Sequence, residues 1–255
     1  MNTQSAKSVA LPVATCLAGL ACWSLVCSLH FFSTSSLPSP VDVASGFNEE
    51  VRSGRLVADV AASLYRVGIG VVLGTLAAVP FGLWLGYYQW PRAALMPAVN
   101  FFRSLSPLAW IPFAILWFGI GDAPVIFLIL MPAFFTLTLA TAAAVANTPE
   151  VYFRVATDYD INRMALLRKV TFPAALPQII TALRLTAGIA WMVVVAAEMV
   201  SGKDGLGFAV WDARNGQRAD LLVCNMIVIG IIGVMLDRLL QCLTTLRSVR
   251  WGYER

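Results

Sequence analysis

Few residues in the apolar segments of this chain could take part in chemistry. Those segments contain Arg184 and Glu198 as ionisable side chains, and the whole chain has one histidine, His30. A proton-coupled carrier would need paired carboxylates near the middle of a membrane span, and the sequence offers no such pair. An enzyme would need a nucleophile beside a general base, and no such group is recognisable. The sequence therefore favours neither an enzyme nor a self-contained channel or carrier, although the channel or carrier is kept as the alternative.

Motifs for nucleotide, metal or redox chemistry are also missing from the sequence. The segment from Gly202 to Gly205 does not fit the phosphate-binding pattern GxxxxGK[ST]. The five cysteines lie in apolar stretches and form no CxxC pair. We interpret Glu198 as the partner of an arginine or as a polar helix end. We expect no catalytic residue, no metal site and no cofactor on this chain.

The composition is that of an integral membrane protein. Of the 255 residues, 59% are hydrophobic and 13% are charged, whereas soluble domains have about 45–50% and about 25%. The mean hydropathy is +0.76. The net charge of +4 is modest and comes without a polybasic run, which argues against nucleic acid as a partner.

Apolar runs predict an all-α protein with about six transmembrane helices, since a span needs about 20 apolar residues. The runs cover residues 9–32, 67–88, 104–121, 123–147, 176–201 and 221–236, the last extending toward 246. Five spans is the alternative count. The first run is longer than the apolar part of a secretory signal, so we expect it to be retained.

Basic residues predict the orientation of these spans. Six of the 18 lysines and arginines fall in segments that would lie outside, namely Arg52, Arg55, Arg66, Lys203, Arg214 and Arg218. The other twelve fall in segments that would lie in the cytoplasm or at the cytoplasmic edges of the spans. Both termini are therefore predicted to be cytoplasmic. Prolines at 38 and 40 predict a turn after the first span, followed by a short surface helix.

Small residues recur every fourth position in the second span. Gly70, Gly74, Ala78, Gly82 and Gly86 would lie along one face of a helix, where small side chains let helices approach closely. Two interpretations stay open. The face packs within the same subunit, or it packs beside a moving pathway or a second subunit.

One long loop, residues 147–178, is predicted to face the cytoplasm. We expect the prolines of its segment Phe172-Pro173-Ala174-Ala175-Leu176-Pro177 to stop one helix and start the next. Within the loop, Arg154-Val155-Ala156, Asp160 and Val170-Thr171-Phe172-Pro173 keep the spacing of the EAA loop of ABC importer permeases. That loop reads E-A-A, three residues, G, nine residues, I-x-L-P. Arg154, Val155 and Asp160 depart from its consensus.

The chain thus resembles a membrane subunit of a binding-protein-dependent ABC importer. Within that class it is most similar to permeases for nitrate, sulfonates, taurine and bicarbonate. This resemblance runs from about residue 37 to 245 and rests on segments 37–40, 107–112, 117–121, 172–177, 196–199 and 205–208. It implies a type I importer fold, with an N-terminal helix and periplasmic segment (1–60), a transmembrane domain (61–246) and a cytoplasmic tail (247–255).

The resemblance also implies partners in the bacterial inner membrane. A second, identical permease subunit would complete the pathway. Two ATPase subunits would hold ATP and Mg, and a periplasmic or lipid-anchored binding protein would deliver a small oxyanion. We expect a short helix over about 157–166 to dock into the ATPase. The residues assigned to this coupling loop are Arg154, Ala156, Asp158, Tyr159, Asp160, Ile161, Arg163, Met164 and Pro173. Lys203, Arg214 and Arg218 are expected to make the outer rim basic and to contact the binding protein.

Overall fold

A computed structural model describes residues 3–29, 36–149, 151–152, 154, 159 and 162–244, and every regular element among them is helical. The helices are α1 Thr3–Ser28, α2 Pro40–Ser53, α3 Arg55–Tyr87, α4 Gln89–Ser104, α5 Ile111–Phe118, α6 Asp122–Ala146, α7 Phe172–Ser201, α8 Leu206–Asn215 and α9 Ala219–Thr244. A 3₁₀ turn, Pro107–Trp110, precedes α5. The predicted all-α fold is confirmed.

Four of the described helical segments are long and apolar enough to cross a membrane. They are α3, α6, Leu167–Val200 and Ala219–Cys242, and they confirm four of the predicted spans. Helix α4 with Pro107–Phe118 would make a fifth span that is bent by 89°. The apolar part of α1 that qualifies, Leu17–Ser28, is shorter. A total of six spans stays a prediction.

The third predicted span, residues 104–121, is not one continuous helix in the structure. Ser106 has an extended backbone, with φ −62° and ψ 129°, because the following Pro107 disfavours the helical conformation at the residue before it. Pro112 then lies in the first turn of α5. The chain therefore turns sharply between α4 and the segment Pro107–Phe118.

Helices α3 and α6 run parallel along their whole contact. A Cβ atom at Gly70 would meet Ile129, one at Gly74 would meet Ala133, and one at Gly86 would meet Val145. The order is the same along both helices. Two parallel helices need a connection between them that returns from one end of the bundle to the other. The bent unit of α4 and α5 provides this return, since Val99 packs near Leu85 and Ala114 packs near Val125.

Helix α7 runs antiparallel to α6, and α9 runs antiparallel to α7. Ala175 packs near Val145 at one end of α7, and Val194 packs near Val125 at the other. The indole Nε1 of Trp191 donates to the carbonyl of Ile229 on α9 at 3.1 Å. The N-termini of α3, α6 and α9 consequently share one end of the bundle, here called the polar end. The opposite end, where α6 ends and α7 begins, is called the loop end.

The surface helix predicted after the first apolar run is α2, which lies at the polar end. The side chain of Ser39 accepts a hydrogen bond from the Asp42 amide at 3.2 Å, and Asp42 accepts one from the Ser39 amide at 3.0 Å. This reciprocal cap satisfies two amides at the helix start, and Pro40 fits the first turn. Gly54, with φ +75°, makes the tight turn into α3.

The prolines of segment 172–177 do not separate two helices, contrary to the sequence prediction. The chain is helical from Arg163 to Ser201, with a π-helical segment at Leu167–Thr171. In that segment the Phe172 amide donates to the Leu167 carbonyl. Pro173 follows in the first turn of α7, where a missing amide hydrogen costs little, and Pro177 lies just inside the helix. The wider π turn accommodates the two prolines, so that the helix continues through them.

Candidate functional site

The guanidinium of Arg66 is the centre of a charged cluster at the polar end. Its Nη1 donates to Glu198 Oε1 at 2.7 Å and to the carbonyl of Asp204 at 2.8 Å. Its Nε donates to Asp122 at 2.7 Å, and its Nη2 pairs with the Asp204 carboxylate. Arg66 is 2% exposed and Glu198 is fully buried. One side chain therefore ties α3 to α6, α7 and the turn that precedes α8.

Acceptors on α3 and α7 also cap the start of α8. Glu198 accepts from the Gly207 amide at 3.0 Å, Ser63 accepts from the Leu206 amide at 3.0 Å, and Asp59 accepts from the Gly205 amide at 2.9 Å. These amides have no partner within their own helix. Carboxylates also interact favourably with the positive end of the helix dipole. The short helix α8 is thereby fixed against the bundle.

Glycine is required at two positions of this cap. Gly205 has φ +100°, and a Cβ atom there would lie 2.5 Å from the Glu198 carboxylate. A Cβ atom at Gly207 would lie 2.1 Å from the carbonyl oxygen of Val195. From the sequence, Glu198 was interpreted as the partner of an arginine or as a polar helix end; in the structure it pairs with Arg66, an arginine that the sequence did not single out. The available signal was a single arginine just before the charge-free run that starts at Val67.

The three cations expected to form a basic rim are spread over the polar end. Arg218 pairs with Glu49 at 2.7 Å and with Asp220 at 2.8 Å. These carboxylates raise the pKa of Arg218, and Arg218 lowers the pKa of Glu49. Arg214 lies over the ring of Trp211, with 5.3 Å from Cζ to the ring centroid. Lys203 is exposed in the turn before α8.

Acidic side chains outnumber basic ones at this end of the described structure. The acids are Asp42, Glu49, Glu50, Asp59, Asp122, Glu198, Asp204, Asp212 and Asp220, and the bases are Arg52, Arg55, Arg66, Lys203, Arg214 and Arg218. A cavity of about 350 Å³ lies among Glu49, Glu50, Arg55, Asp212 and Arg218. The polar end is therefore a mixed surface with ion pairs, whereas the sequence predicted a basic one.

The glycine stripe of α3 lies against α6 of the same chain. A Cβ atom at Gly70, Gly74, Gly82 or Gly86 would come within 2.5–2.7 Å of a side-chain atom of α6. Ala78, in the same stripe, is fully buried. Of the two interpretations that the sequence left open, this geometry matches packing within one subunit.

Comparison with known proteins shows which family has this architecture. Residues 70–246 match the family model described as "Binding-protein-dependent transport system inner membrane component". The chain belongs to this family of binding-protein-dependent transport permeases. It is 31% identical to the taurine transport system permease protein of Escherichia coli, covering 97% of this chain and 92% of that one. It is 30% identical to the nitrate import permease protein of a Synechocystis species, covering 89% and 85%.

A solved structure shows the same fold. A chain of the MetNI methionine ABC transporter in an inward-facing conformation superposes with a TM-score of 0.61. The match covers 74% of the permease described here and 96% of the other chain, at 21% sequence identity. The type I importer fold implied by the sequence is thereby confirmed.

The coupling-loop residues of the permease fall partly within the described structure. Arg154 and Tyr159 are exposed, and Tyr159 is 77% exposed. Pro173 lies in the first turn of α7. Arg163 and Met164 belong to a helical turn, Arg163–Leu166, that continues through Leu167–Thr171 into α7. Ala156, Asp158, Asp160 and Ile161 lie outside the described residues, as does most of the helix predicted over 157–166.

Proposed function

We propose that this permease forms the translocation pathway of an ATP-driven importer for a small oxyanion. The observation that carries the proposal is membership of the family together with relatives named for nitrate import and taurine transport. Nitrate and taurine share a compact group with several anionic oxygens. A single pathway that tolerates such groups needs few specific contacts if a separate binding protein selects the substrate.

The other subunits follow from the same proposal. A second copy of this chain completes the pathway. Two ATPase subunits hold ATP and Mg and dock at the loop end, and a periplasmic or lipid-anchored binding protein docks at the polar end. Large apolar side chains are exposed along α3, α5 and α9, for example Leu76, Leu116 and Val234. Such faces suit contact with lipid or with another membrane subunit.

Charge supports an orientation with the loop end in the cytoplasm. Arg92, Arg154, Arg163, Arg168 and Lys169 are among the twelve lysines and arginines that the predicted topology puts on the loop-end side, against six on the polar-end side. Excess lysine and arginine favours the cytoplasmic side. The proposed orientation puts both termini in the cytoplasm of a bacterial cell. A cysteine placed at Tyr159 should resist an impermeant thiol reagent in intact cells, whereas one at Ser36 should react, and the reverse pattern would contradict this orientation.

A continuous helix supports the mechanism. The helical path from Arg163 to Ser201 is about 58 Å long at 1.5 Å per residue and connects the loop end to the Arg66 cluster. Movement imposed by an ATPase near Tyr159 would reach the polar end as a rigid-body shift. Such a shift repacks helices between two discrete arrangements, as alternating access requires.

The accessible cations at the polar end suit contact with the binding protein. Lys203 and Arg214 carry the exposed positive charge, and Arg218 contributes as part of its ion pairs with Glu49 and Asp220. If neutralising all three leaves transport and its salt dependence unchanged, this contact does not exist.

Substrate-stimulated ATPase activity tests the proposal. The permease is reconstituted with its ATPase and with each candidate binding protein, and nitrate, taurine and bicarbonate are supplied in turn. We expect one anion to stimulate hydrolysis, and only in the presence of its binding protein. Equal hydrolysis with and without every anion would contradict the proposed function.

A further inference from the structure

Arg103 lies in the last turn of α4, at the sharp bend before the segment Pro107–Phe118. It is exposed, and its guanidinium has no hydrogen-bond or ion-pair partner among the residues that the structure describes. Arg66 and Arg184, in contrast, pair with carboxylates, Arg184 with Asp237 of α9 at 2.6 Å. An unpaired charge is costly to bury, so the Arg103 guanidinium needs water or an anion beside it.

The fold places this arginine about halfway along the bundle. Its neighbour Phe102 stacks on Phe135 of α6, with ring centroids 5.4 Å apart and ring planes inclined by 14°. Phe135 lies about 20 Å from the start of α6 at Asp122 and about 17 Å from its end at Ala146, at 1.5 Å per residue. The hydrocarbon core of a bilayer is about 30 Å thick. Arg103 is therefore well inside that core, deeper than the span edge at which the predicted topology puts it.

A cavity of about 220 Å³ lies beside Arg103. Trp110, Phe135, Thr136 and Ile189 also line it, so the cavity is formed between the α4–α5 bend, α6 and α7. The described residues that line it include no carboxylate. One water takes about 30 Å³, so the cavity has room for a small anion together with several waters.

The depth of Arg103 and the cavity beside it point to the same environment. A charge in the middle of a membrane is costly in lipid and usually faces the bundle interior or a water-filled space. The cavity provides such a space for the guanidinium. Because its lining carries no negative charge, the positive charge of Arg103 is available to an anion that enters from solution.

We propose that this cavity is part of the translocation pathway and that Arg103 binds the oxyanion in transit. This inference rests on the proposed function and adds a site for the substrate within the pathway. A planar guanidinium can donate two parallel hydrogen bonds to the oxygens of nitrate or of a sulfonate. The hydroxyl of Thr136, which lines the same cavity, is a further donor. One cation and one hydroxyl among mostly apolar walls bind the anion weakly enough for release.

Arg66 cannot serve this purpose. It is almost fully buried, and Glu198, Asp122 and Asp204 already accept its hydrogen bonds. An anion would have to displace three carboxylates from a closed site. At Arg103 no displacement is needed, because no carboxylate of the described residues pairs with it.

The test uses the reconstituted transporter with its ATPase and binding protein. R103Q replaces the guanidinium by a neutral amide, and we expect import of nitrate or taurine to fall at least about tenfold, because charge-assisted hydrogen bonds to the anion are lost. R103K keeps the charge without the planar fork and should retain more import than R103Q. Assembly and basal ATP hydrolysis should persist in both variants. R92Q, which removes an arginine near the start of the same helix, is the matched control and should transport normally.

A second measurement probes anion binding without transport. In a background without the native cysteines, I189C should react with a water-soluble thiol reagent, since Ile189 is 41% exposed and lines the cavity. Nitrate or taurine should slow that reaction. R103Q should abolish this protection, and R103K should shift it to higher anion concentrations. A purely structural role of Arg103 would not produce this dependence on the anion.

Several results would overturn the inference. They are normal import by R103Q, equal import by R103Q and R103K, an unreactive I189C, and protection of I189C that neither R103Q nor R103K alters. Failure of the wild-type transporter to import either anion would instead contradict the proposed function.

Discussion

Arg66 and Glu198 are joined by a hydrogen bond of 2.7 Å between Nη1 and Oε1, although 132 positions separate them in the chain. The bond links α3 to the end of α7, and neither side chain is accessible. Glu198 also accepts from Ser63 at 2.8 Å and from the Gly207 amide at 3.0 Å. The polar end of α7 is therefore anchored to α3 and to α8.

Removing the Glu198 carboxylate should destabilise the permease. Glu198→Ala leaves Arg66 buried with one charge fewer around it and leaves the Gly207 amide without its acceptor. We expect a loss of about 3 kcal/mol in the free energy of unfolding, measured as a lower melting temperature in detergent. Asp204→Asn is the control, since Asp204 is 60% exposed and water can replace its carboxylate. It should cost less than about 1 kcal/mol, and equal losses would contradict the account.

Enlarging the glycine stripe should separate α3 from α6. A Cβ atom at Gly82 would lie 2.6 Å from Thr141 Cβ and 2.8 Å from the Thr138 carbonyl oxygen. We expect Gly82→Ala to destabilise by about 1–3 kcal/mol through overpacking. Gly68→Ala, on a face with nothing within 4 Å, should be neutral or stabilise by up to about 1 kcal/mol through helix propensity. Melting temperatures that move the opposite way would rule out close packing of α3 on α6.

Two adjacent glutamates should respond to pH in opposite directions. Burial raises the pKa of Glu50, whose Oε2 has no hydrogen-bond partner among the described residues, whereas Arg218 lowers the pKa of Glu49. A raised folded-state pKa means that ionised Glu50 destabilises the fold at neutral pH, and that this cost disappears as the pH falls below the usual range of a glutamate. Ionised Glu49 stabilises the fold at neutral pH, and this contribution is lost on acidification.

Glu50→Gln should therefore raise the melting temperature at pH 7, with a gain that shrinks toward pH 4. Glu49→Gln should lower the melting temperature slightly at pH 7 and have no effect at acidic pH. Melting curves of both variants across this range, in the same detergent, provide the measurement. A stabilising effect of Glu50→Gln that is independent of pH would show that burial of the charge is not its cause.

Substitutions in the coupling loop should affect the interaction with the ATPase. Replacing Tyr159 and Met164 together by alanine should weaken association with the ATPase or uncouple hydrolysis from transport, because aromatic side chains dominate such contacts. Membrane insertion should stay normal. Tyr65→Ala is the control, since Tyr65 is also exposed but lies on α3 near the polar end. A double variant that assembles and transports normally would place the coupling contact elsewhere.

Sequence patterns predicted a membrane protein and the four confirmed spans, because a long apolar run has few stable structures other than a membrane-spanning helix. The family resemblance rested on short segments such as 172–177 and is confirmed by relatives over most of the chain. The sharp bend between α4 and the segment Pro107–Phe118 was not predicted, since hydropathy does not reveal the bend that Pro107 imposes. The uninterrupted helix through Pro173 and Pro177 was not predicted either, because the compensating π turn has no clear sequence signal.

The two ion pairs show why the site was harder to predict than the fold. The pairing of Arg66 with Glu198 and of Arg184 with Asp237 depends on which helices are neighbours and in what register. A single sequence shows which residues are charged, but it does not show in what register the helices pack. The excess of acidic side chains at the polar end was likewise not predicted. The fold brings carboxylates from distant parts of the chain next to the cations, as Asp212 next to Arg55 and Glu49 next to Arg218.

Uptake of anion into proteoliposomes tests the central claim most directly. Vesicles contain this permease with its ATPase subunit, and the binding protein, ATP and either nitrate or taurine are supplied on the appropriate sides. The account predicts uptake of one anion that stops when ATP, the ATPase or the binding protein is omitted. Uptake at the same rate by the permease alone, without ATP, would contradict it and would identify a self-contained carrier or channel.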